Sequence, residues 1–521
     1  MSENKLARQE KSDDRFQALL SNANASRAIS QAVEGTIGPK GLDIMMVDRF
    51  GDVVISNDGV TILKLMEVNH PAARMIINTA RAQQSEVGDG TTTATIIAAA
   101  LVAEGVEQVL KGVPVTRVIE GIEQGIAAAL NLVNKQSRAV ESLDDKVLFS
   151  IAEVAGRGKR DLARLVIKGA QLVGKKKLLD RDYKFADAVV ARELAPSQVF
   201  RGVLLNKEPV NKDMPAVLEN SLILVIDDAL GPEEIEREAM KSESGFQYYL
   251  QARANYEENL RKIAELGVKM VVVDRGIDDM AEEFLTDAGI MAVQRVSSRE
   301  IEKLCQHTAA RKIKRNGLNR DLDSLKGYLG KARMVKVDEK LQHIYIYDGK
   351  GESWTTVLIG AATEEVVEER ERMAKDAAAA VQAAVQGGVV PGGGATEVWL
   401  AAHMEGVARE LEGMASFGVN CVKEALLKPF SCLISNAGFN PLEKLGDVVV
   451  AQRKNGSDSI GIDCEKGKLM DMMRQGIVDP TPVKIHAIQA AGEVAVAILR
   501  INTIIKMKND PEHSENTENW D

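Results

Sequence analysis

Gly88-Asp89-Gly90-Thr91-Thr92-Thr93 opens a long, alanine-rich apolar segment that runs to Lys111. Two glycines, an acid and three hydroxyls at the predicted start of a helix form an arrangement suited to a phosphate. Glycines let the backbone approach an anion, helix-start N–H groups point at it, and hydroxyls add donors. Asp89 offers a hard oxygen ligand for Mg2+ beside that phosphate. Taken alone, the six residues read more simply as an ordinary capped start, with Asp89 or a threonine bonding the first turn.

Two more glycine-rich segments flank this one in sequence. Thr36-Ile37-Gly38-Pro39-Lys40-Gly41 lies between a helix predicted over 14–34 and a hairpin predicted from 44–47 and 53–56. Gly392-Gly393-Gly394 precedes another helix, where missing Cβ atoms would let a flat base or ribose lie against the chain. Two carboxylates join them: Asp58, in Ile55-Ser56-Asn57-Asp58-Gly59-Val60-Thr61, and Asp376, in Lys375-Asp376-Ala377-Ala378-Ala379. Near a triphosphate either could orient or deprotonate water. Singly, Asp58 is better read as turn chemistry and Asp376 as a solvated helix face. No GxxxxGK[ST] occurs, which excludes a P-loop ATPase, and no GxGxxG follows a strand, so a dinucleotide fold lacks support.

Composition bounds the rest. The 521 residues correspond to about three domains at ~150 residues each. Apolar residues are 45%, charged 27% and aromatic only 4%, which favours helices packed through aliphatic ridges over a sandwich. A net charge of −10 implies no basic face, so nucleic acid is not an expected partner. Cys305, Cys421, Cys432 and Cys464 have neither zinc-site nor disulfide-framework spacing and read as reduced thiols. Residues 1–16 lack the apolar run of a signal peptide, and no apolar run reads as long enough to span a bilayer. The expectation is a cytoplasmic protein without a membrane partner.

Helical periodicity covers 71–85, 91–111 and 114–136. The middle alternates β-branched runs (221–226, 269–273, 290–293) with helical stretches (235–266, 278–288, 298–311), the pattern of an α/β unit. From Thr363 the chain reads as helical again to about Lys506, before a polar tail. The order helical, mixed, helical predicts a multi-domain α and α/β fold with one domain inserted into another.

The ordered set 36–41, 55–63, 88–93, Asp376, 389–394 and 478–484 resembles the chaperonin family, over residues 14 to 508. The resemblance implies a helical equatorial ATPase domain from both chain ends (1–136 and 388–508) and a small intermediate domain (137–198 and 354–387). It also implies an inserted α/β apical domain (199–353) with a helical protrusion at about 234–260; the polar composition of 509–521 reads as a disordered tail. In the roles it implies, Ile37, Gly38 and Pro39 border the phosphates of ATP. Gly88, Asp89, Gly90, Thr91, Thr92 and Thr93 form the phosphate loop, with Asp89 on Mg2+. Asp58 and Asp376 position the hydrolytic water. Gly392, Gly393 and Asp479 meet ribose and base, Lys484 lies nearby, and Lys159 senses the γ-phosphate.

Within that family the thermosome-like (group II) branch is the better match. Its marks are Gly-Pro-Lys-Gly-Leu-Asp at 38–43, Asn-Asp-Gly-Val-Thr-Ile-Leu at 57–63, Asn-Ala-Gly-Phe-Asn-Pro at 436–441 and Ala-Ile-Leu-Arg-Ile at 497–501. The long segment 234–266 is similar to the built-in lid of that branch. Asp479 in place of glutamate, Asn502 in place of aspartate and the unusual 175–187 segment are similar to a bacterial outlier, group III. The expected function is an ATPase that closes a double-ring homo-oligomer, eight subunits per ring, around non-native polypeptides without a separate co-chaperonin lid. Two alternatives stand beside it. A metabolic enzyme using a nucleotide phosphate would need an acid–base or nucleophile cluster that the inserted domain lacks. A non-catalytic scaffold ring would not need Asp58, Asp89 and Asp376.

Overall fold

The computed structural model describes residues 2–232 and 242–503, without the side chains of 2–15 and of Glu365. The chain forms two compact units, one from residues 1–155 with 379–521, the other from 156–378.

Along the chain the first unit begins with α1 (Ser2–Glu34), the hairpin β1 (Ile44–Val47) and β2 (Val53–Ser56), and α2 (Gly59–Leu65). It continues through α3 (Pro71–Val87), α4 (Thr91–Leu110), α5 (Val115–Gln136) and α6 (Lys146–Ala155). The second unit holds α7 (Arg160–Val173), α8 (Lys175–Leu178), β3 (Val189–Glu193), β4 (Gln198–Leu205), β5 (Val217–Ile226), α9 (Glu243–Glu265) and β6 (Val268–Val273). There follow α10 (Asp279–Asp287), β7 (Met291–Val293), α11 (Ser298–Thr308), α12 (Leu322–Lys326), β8 (Gly330–Asp338), β9 (His343–Gly349) and β10 (Thr355–Ala361). Helix α13 (Glu364–Gly387) returns the chain to the first unit. That unit is completed by β11 (Val389–Pro391), α14 (Ala395–Glu410), α15 (Ala415–Asn436), α16 (Pro441–Asn455), β12 (Ile460–Ile462), β13 (Leu469–Asp471), β14 (Val478–Pro480) and α17 (Thr481–Leu499).

The first unit is a helical core that interleaves the two ends of the chain. Ile97, Leu101 and Val102 of α4 are buried with Ile122 of α5, Val422 and Leu426 of α15, and Ile488 and Ala495 of α17. Helices α5 and α15 touch backbone to backbone at Gly121 and Gly418: a Cβ on Gly121 would lie 1.9 Å from the Ala415 carbonyl oxygen. Only glycine permits that approach, and it locks the N-terminal half of the unit to the C-terminal half. Helices α4 and α17 also have the length and mean hydropathy, 1.4 and 1.3, of membrane spans, which the sequence reading did not anticipate. Most of each is buried within the unit, as core helices of a globular protein are.

The second unit is built on an eight-stranded mixed sheet in the order β3-β10-β4-β9-β8-β5-β6-β7. Strands β5, β6 and β7 are parallel neighbours, joined through α9 and α10 as βαβ crossovers. Their two faces are covered, by Ile301 and Leu304 of α11 on one side and by Leu260 and Ile263 of α9 on the other. The three runs predicted at 221–226, 269–273 and 290–293 are these three strands, and the hairpin is where periodicity places it. Strands β3, β4, β8, β9 and β10 had not been foreseen: β8 and β9 form a hairpin in which Val335 faces Ile346, β4 pairs antiparallel across more than 130 residues with Val203 facing Ile346 from the other side, and β3 joins β10 in parallel. Residues 234–241 of the expected protrusion and the whole of the expected tail lie outside the described residues; from Glu243 the protrusion segment is helix α9.

Candidate functional site

Helix α4 begins without a side-chain cap. Its N-cap is Gly90, in the left-handed region at φ 78°, so the helix-start N–H groups have no side-chain acceptor. Asp89 accepts from the Gly90 N–H through Oδ1, at 2.6 Å, and does not reach the first turn of α4. The ordinary capped-start reading of 88–93 is therefore not what the chain does. Gly88 also needs its missing side chain, since a Cβ there would sit 2.3 Å from that of Ala379.

Asp58 does cap a helix. Its Oδ2 accepts from Thr61 N–H at 2.9 Å and from the Thr61 hydroxyl at 2.6 Å, starting α2. The turn packs directly on the phosphate-loop candidate, for a Cβ on Gly59 would fall 2.5 Å from the Thr92 hydroxyl. Turn chemistry and a place beside the threonines are both features of Asp58.

The third segment joins from the C-terminal half. Strands β11 and β14 pair antiparallel, with Val390 opposite Asp479, and Gly392 N–H donates to the Ile477 carbonyl at 2.9 Å. A Cβ on Gly392 would approach the Asp479 carboxylate to 3.3 Å, so the bare backbone leaves that carboxylate open on this side. The first segment sits at the end of α1, where Gly38, at φ 89°, packs over Leu433 of α15. Phe430 lies under Gly394 one turn earlier on α15, so one helix face backs two of the three glycine segments. Ile37 is half-buried, and Gly38 and Pro39 are exposed.

Lys484 is buried, its ammonium 2.7 Å from Asp479 Oδ2 and hydrogen-bonded to Glu397, which is 1% exposed. Burial alone would pull this lysine down, but the two carboxylates outweigh it and hold it above its ordinary value. Asp89 is pushed above the usual carboxylate range, first by desolvation and further by the charges of Asp479 and Asp58; the Gly90 N–H and Lys484 oppose this. Asp58, Asp89, Asp479 and Lys484 thus share one electrostatic neighbourhood with an excess of negative charge. That excess, on hard oxygen ligands beside uncapped N–H groups, fits a divalent cation carrying a phosphate. Among the described residues no cluster of three potential metal-ligating side chains forms by itself.

Two sequence-predicted residues belong to the second unit. Asp376, on α13, is not on a solvated face: its side chain is 15% exposed and pairs with Arg372 at 3.5 Å, which is itself held by Glu369. Lys159 is exposed at the N-cap of α7. The four cysteines are free, as spacing implied, and burial pushes all of them up, Cys421 to about 12. Sequence reading missed Glu397, because an acid in the first turn of a helix is ordinary and carries no signal of burial.

The family model for the TCP-1/cpn60 chaperonin family matches residues 29–509. The chain is 36% identical over 502 residues to a thermosome subunit of Pyrococcus horikoshii, covering 93% of this chain and 90% of the relative. It is likewise 36% identical over 506 residues to the thermosome subunit beta of Archaeoglobus fulgidus, covering 94% and 91%. A crystal structure of a group III chaperonin in the open state superposes with a TM-score of 0.88 at 47% identity, covering 95% of this chain and all of that one. The chain belongs to the TCP-1/cpn60 chaperonin family, and within it is thermosome-like.

Proposed function

We propose that this chaperonin subunit binds MgATP at the Gly88–Thr93 loop of its split helical unit and hydrolyses it to ADP and phosphate. Hydrolysis drives a double ring of identical subunits, eight per ring, to close around non-native polypeptide in the cytoplasm. One observation carries the reading: α4 starts uncapped beside Asp89, whose ionisation is disfavoured by burial and then by the neighbouring carboxylates, a charge that a cation would compensate. Asp89 would hold Mg2+. Thr91, Thr92 and Thr93 would donate to phosphate oxygens, with Gly38 and Pro39 bordering them. Asp58 and Asp376 act on the attacking water, Asp376 from the helix assigned to the hinge between equatorial and apical domains. Gly392, Gly393 and Asp479 face ribose and base, and Lys159 reads the γ-phosphate. The lid is intrinsic and includes α9, whose Phe246, Tyr248 and Leu250 are exposed. The 36–47% identity to thermosome and group III proteins supports this assignment of roles.

Phosphate release by purified rings, measured with and without Mg2+, tests it. Magnesium-dependent turnover that is lost in Asp89→Ala is the expected result. Rings that bind client but never release phosphate would instead be the scaffold described above.

A further inference from the structure

Two glycine segments of the site, and the helix start that directly follows the third, are each tied from behind by a side-chain amide. Gln83, on α3 and fully buried, donates through Nε2 to the Asp89 carbonyl at 2.8 Å and to the Val483 carbonyl at 3.1 Å. Asn436, the last residue of α15, donates through Nδ2 to the carbonyls of Glu34 at 2.8 Å and Ile37 at 3.0 Å. Gln452, on α16 and 2% exposed, donates through Nε2 to the carbonyls of Ala395 at 3.0 Å and Ile460 at 2.9 Å. Gln83 and Asn436 each cross about 400 residues of sequence, joining the N-terminal and C-terminal halves of the split unit.

The chemistry explains the recurrence. A segment that turns its N–H groups outward to an anion turns carbonyls inward, and buried carbonyls need donors. A primary amide supplies two N–H donors from one atom without adding charge, whereas a hydroxyl supplies only one. At Gln83 both Nε2 contacts are carbonyl oxygens, which fixes the amide orientation and leaves Oε1 facing His486 Nδ1 at 2.6 Å. His486 must therefore carry its proton on Nδ1, and it completes the satisfaction of Gln83. The brace also sets the loop's sequence, because a Cβ on Gly90 would meet Val483 at 2.6 Å and the Gln83 amide at 3.1 Å.

Resting on the nucleotide-site reading above, we infer that Gln83, Asn436 and Gln452 are positioning residues that hold the three glycine segments in binding-competent form before nucleotide arrives. None of them touches the nucleotide. They lower the ordering cost that a loose loop would charge to binding.

Full-length rings carrying Gln83→Met, Asn436→Ala or Gln452→Met test this through amide hydrogen exchange without nucleotide and through ADP affinity. Each substitution should speed exchange in its own segment: 88–93 for Gln83, 36–41 for Asn436, and 395–398 with 458–461 for Gln452. Loss of two hydrogen bonds of ordinary net strength should also weaken ADP binding about 10-fold or more. A merely structural role would lower the melting temperature and raise exchange throughout the unit, leaving affinity in the folded rings unchanged. Should one variant fail to assemble, the other two carry the test on separate segments. Parent-like local exchange and affinity in the variants that assemble would overturn the inference. Asp89→Ala is the control. If it too binds nucleotide normally, the site assignment has failed, while the exchange measurement still decides whether the amides hold the loops.

Discussion

The Lys484 ammonium lies 2.7 Å from the Asp479 carboxylate, buried on the first turns of α17. Its other partner, Glu397, is almost wholly enclosed, and Glu397 Oε2 has no hydrogen-bond partner among the described residues. The lysine is therefore the counter-charge for two acids on separate elements. Lys484→Met should destabilise the helical unit by about 3–5 kcal/mol, the range for removing one partner of a buried ion pair. Chemical denaturation of the variant and parent rings checks it. A loss under about 1 kcal/mol would mean that the pair is not needed to hold the two elements together.

Asp89 should show the opposite sign. Its pKa is raised in the fold, so its ionisation opposes folding, and the penalty grows as pH rises from the usual carboxylate value of about 4 towards the raised one. Asp89→Asn should therefore raise the melting temperature of nucleotide-free rings at pH 7 while abolishing MgATP binding. A variant less stable than the parent would show that the carboxylate is structural.

Asp376→Ala separates binding from chemistry. A carboxylate that acts only on the attacking water should leave ATP affinity within a few-fold, yet lower kcat by about two to four orders of magnitude. Equilibrium binding and single-turnover hydrolysis on the same rings decide. Collapsed affinity with a preserved single-turnover rate would make Asp376 a binding residue.

The second unit should be acid-sensitive. His307 is buried on α11, its Nε2 accepting from Gly349 N–H at 2.8 Å while Nδ1 faces the Glu352 carbonyl. His343, at the start of β9, is 4% exposed. Desolvation pulls both below the ordinary value, against the opposing influence of backbone and acidic neighbours. The unfolded chain then binds more protons than the fold, so stability is complete above about pH 6.5 and falls as pH drops below it. Hydrogen exchange of β8 to β10 at pH 7.5 and 5.5 should show the loss, and unchanged protection would contradict it.

Assembly has a simple readout. The hairpin leaves Met45, Val47, Val53 and Ile55 exposed, an apolar row on a two-stranded ribbon that is marginal alone. Sixteen copies of a 56.5 kDa subunit should run at about 0.9 MDa as a closed symmetric particle. Val47→Lys combined with Ile55→Lys should lower that mass, and double rings unaffected by both charges would show that the row serves another purpose.

How much of this was legible in the sequence follows the range of the physics involved. Helices α3 to α5, the hairpin and strands β5 to β7 follow from local periodicity and turn chemistry, and the Gly88–Thr93 segment declares its suitability for phosphate through residue type alone. Asp58 declared a turn for the same reason: glycine, acid and hydroxyl carry their chemistry with them. Tertiary structure alone decided that α4 starts uncapped, that Lys484 joins Asp479 to Glu397, and that Gln83 reaches the Val483 carbonyl. It also decided the order of the eight-stranded sheet. All but the first of those facts depend on contacts between residues tens to hundreds apart in the chain. A glutamine or glutamate inside a helix looks like a surface residue until burial removes its water and dictates its partners.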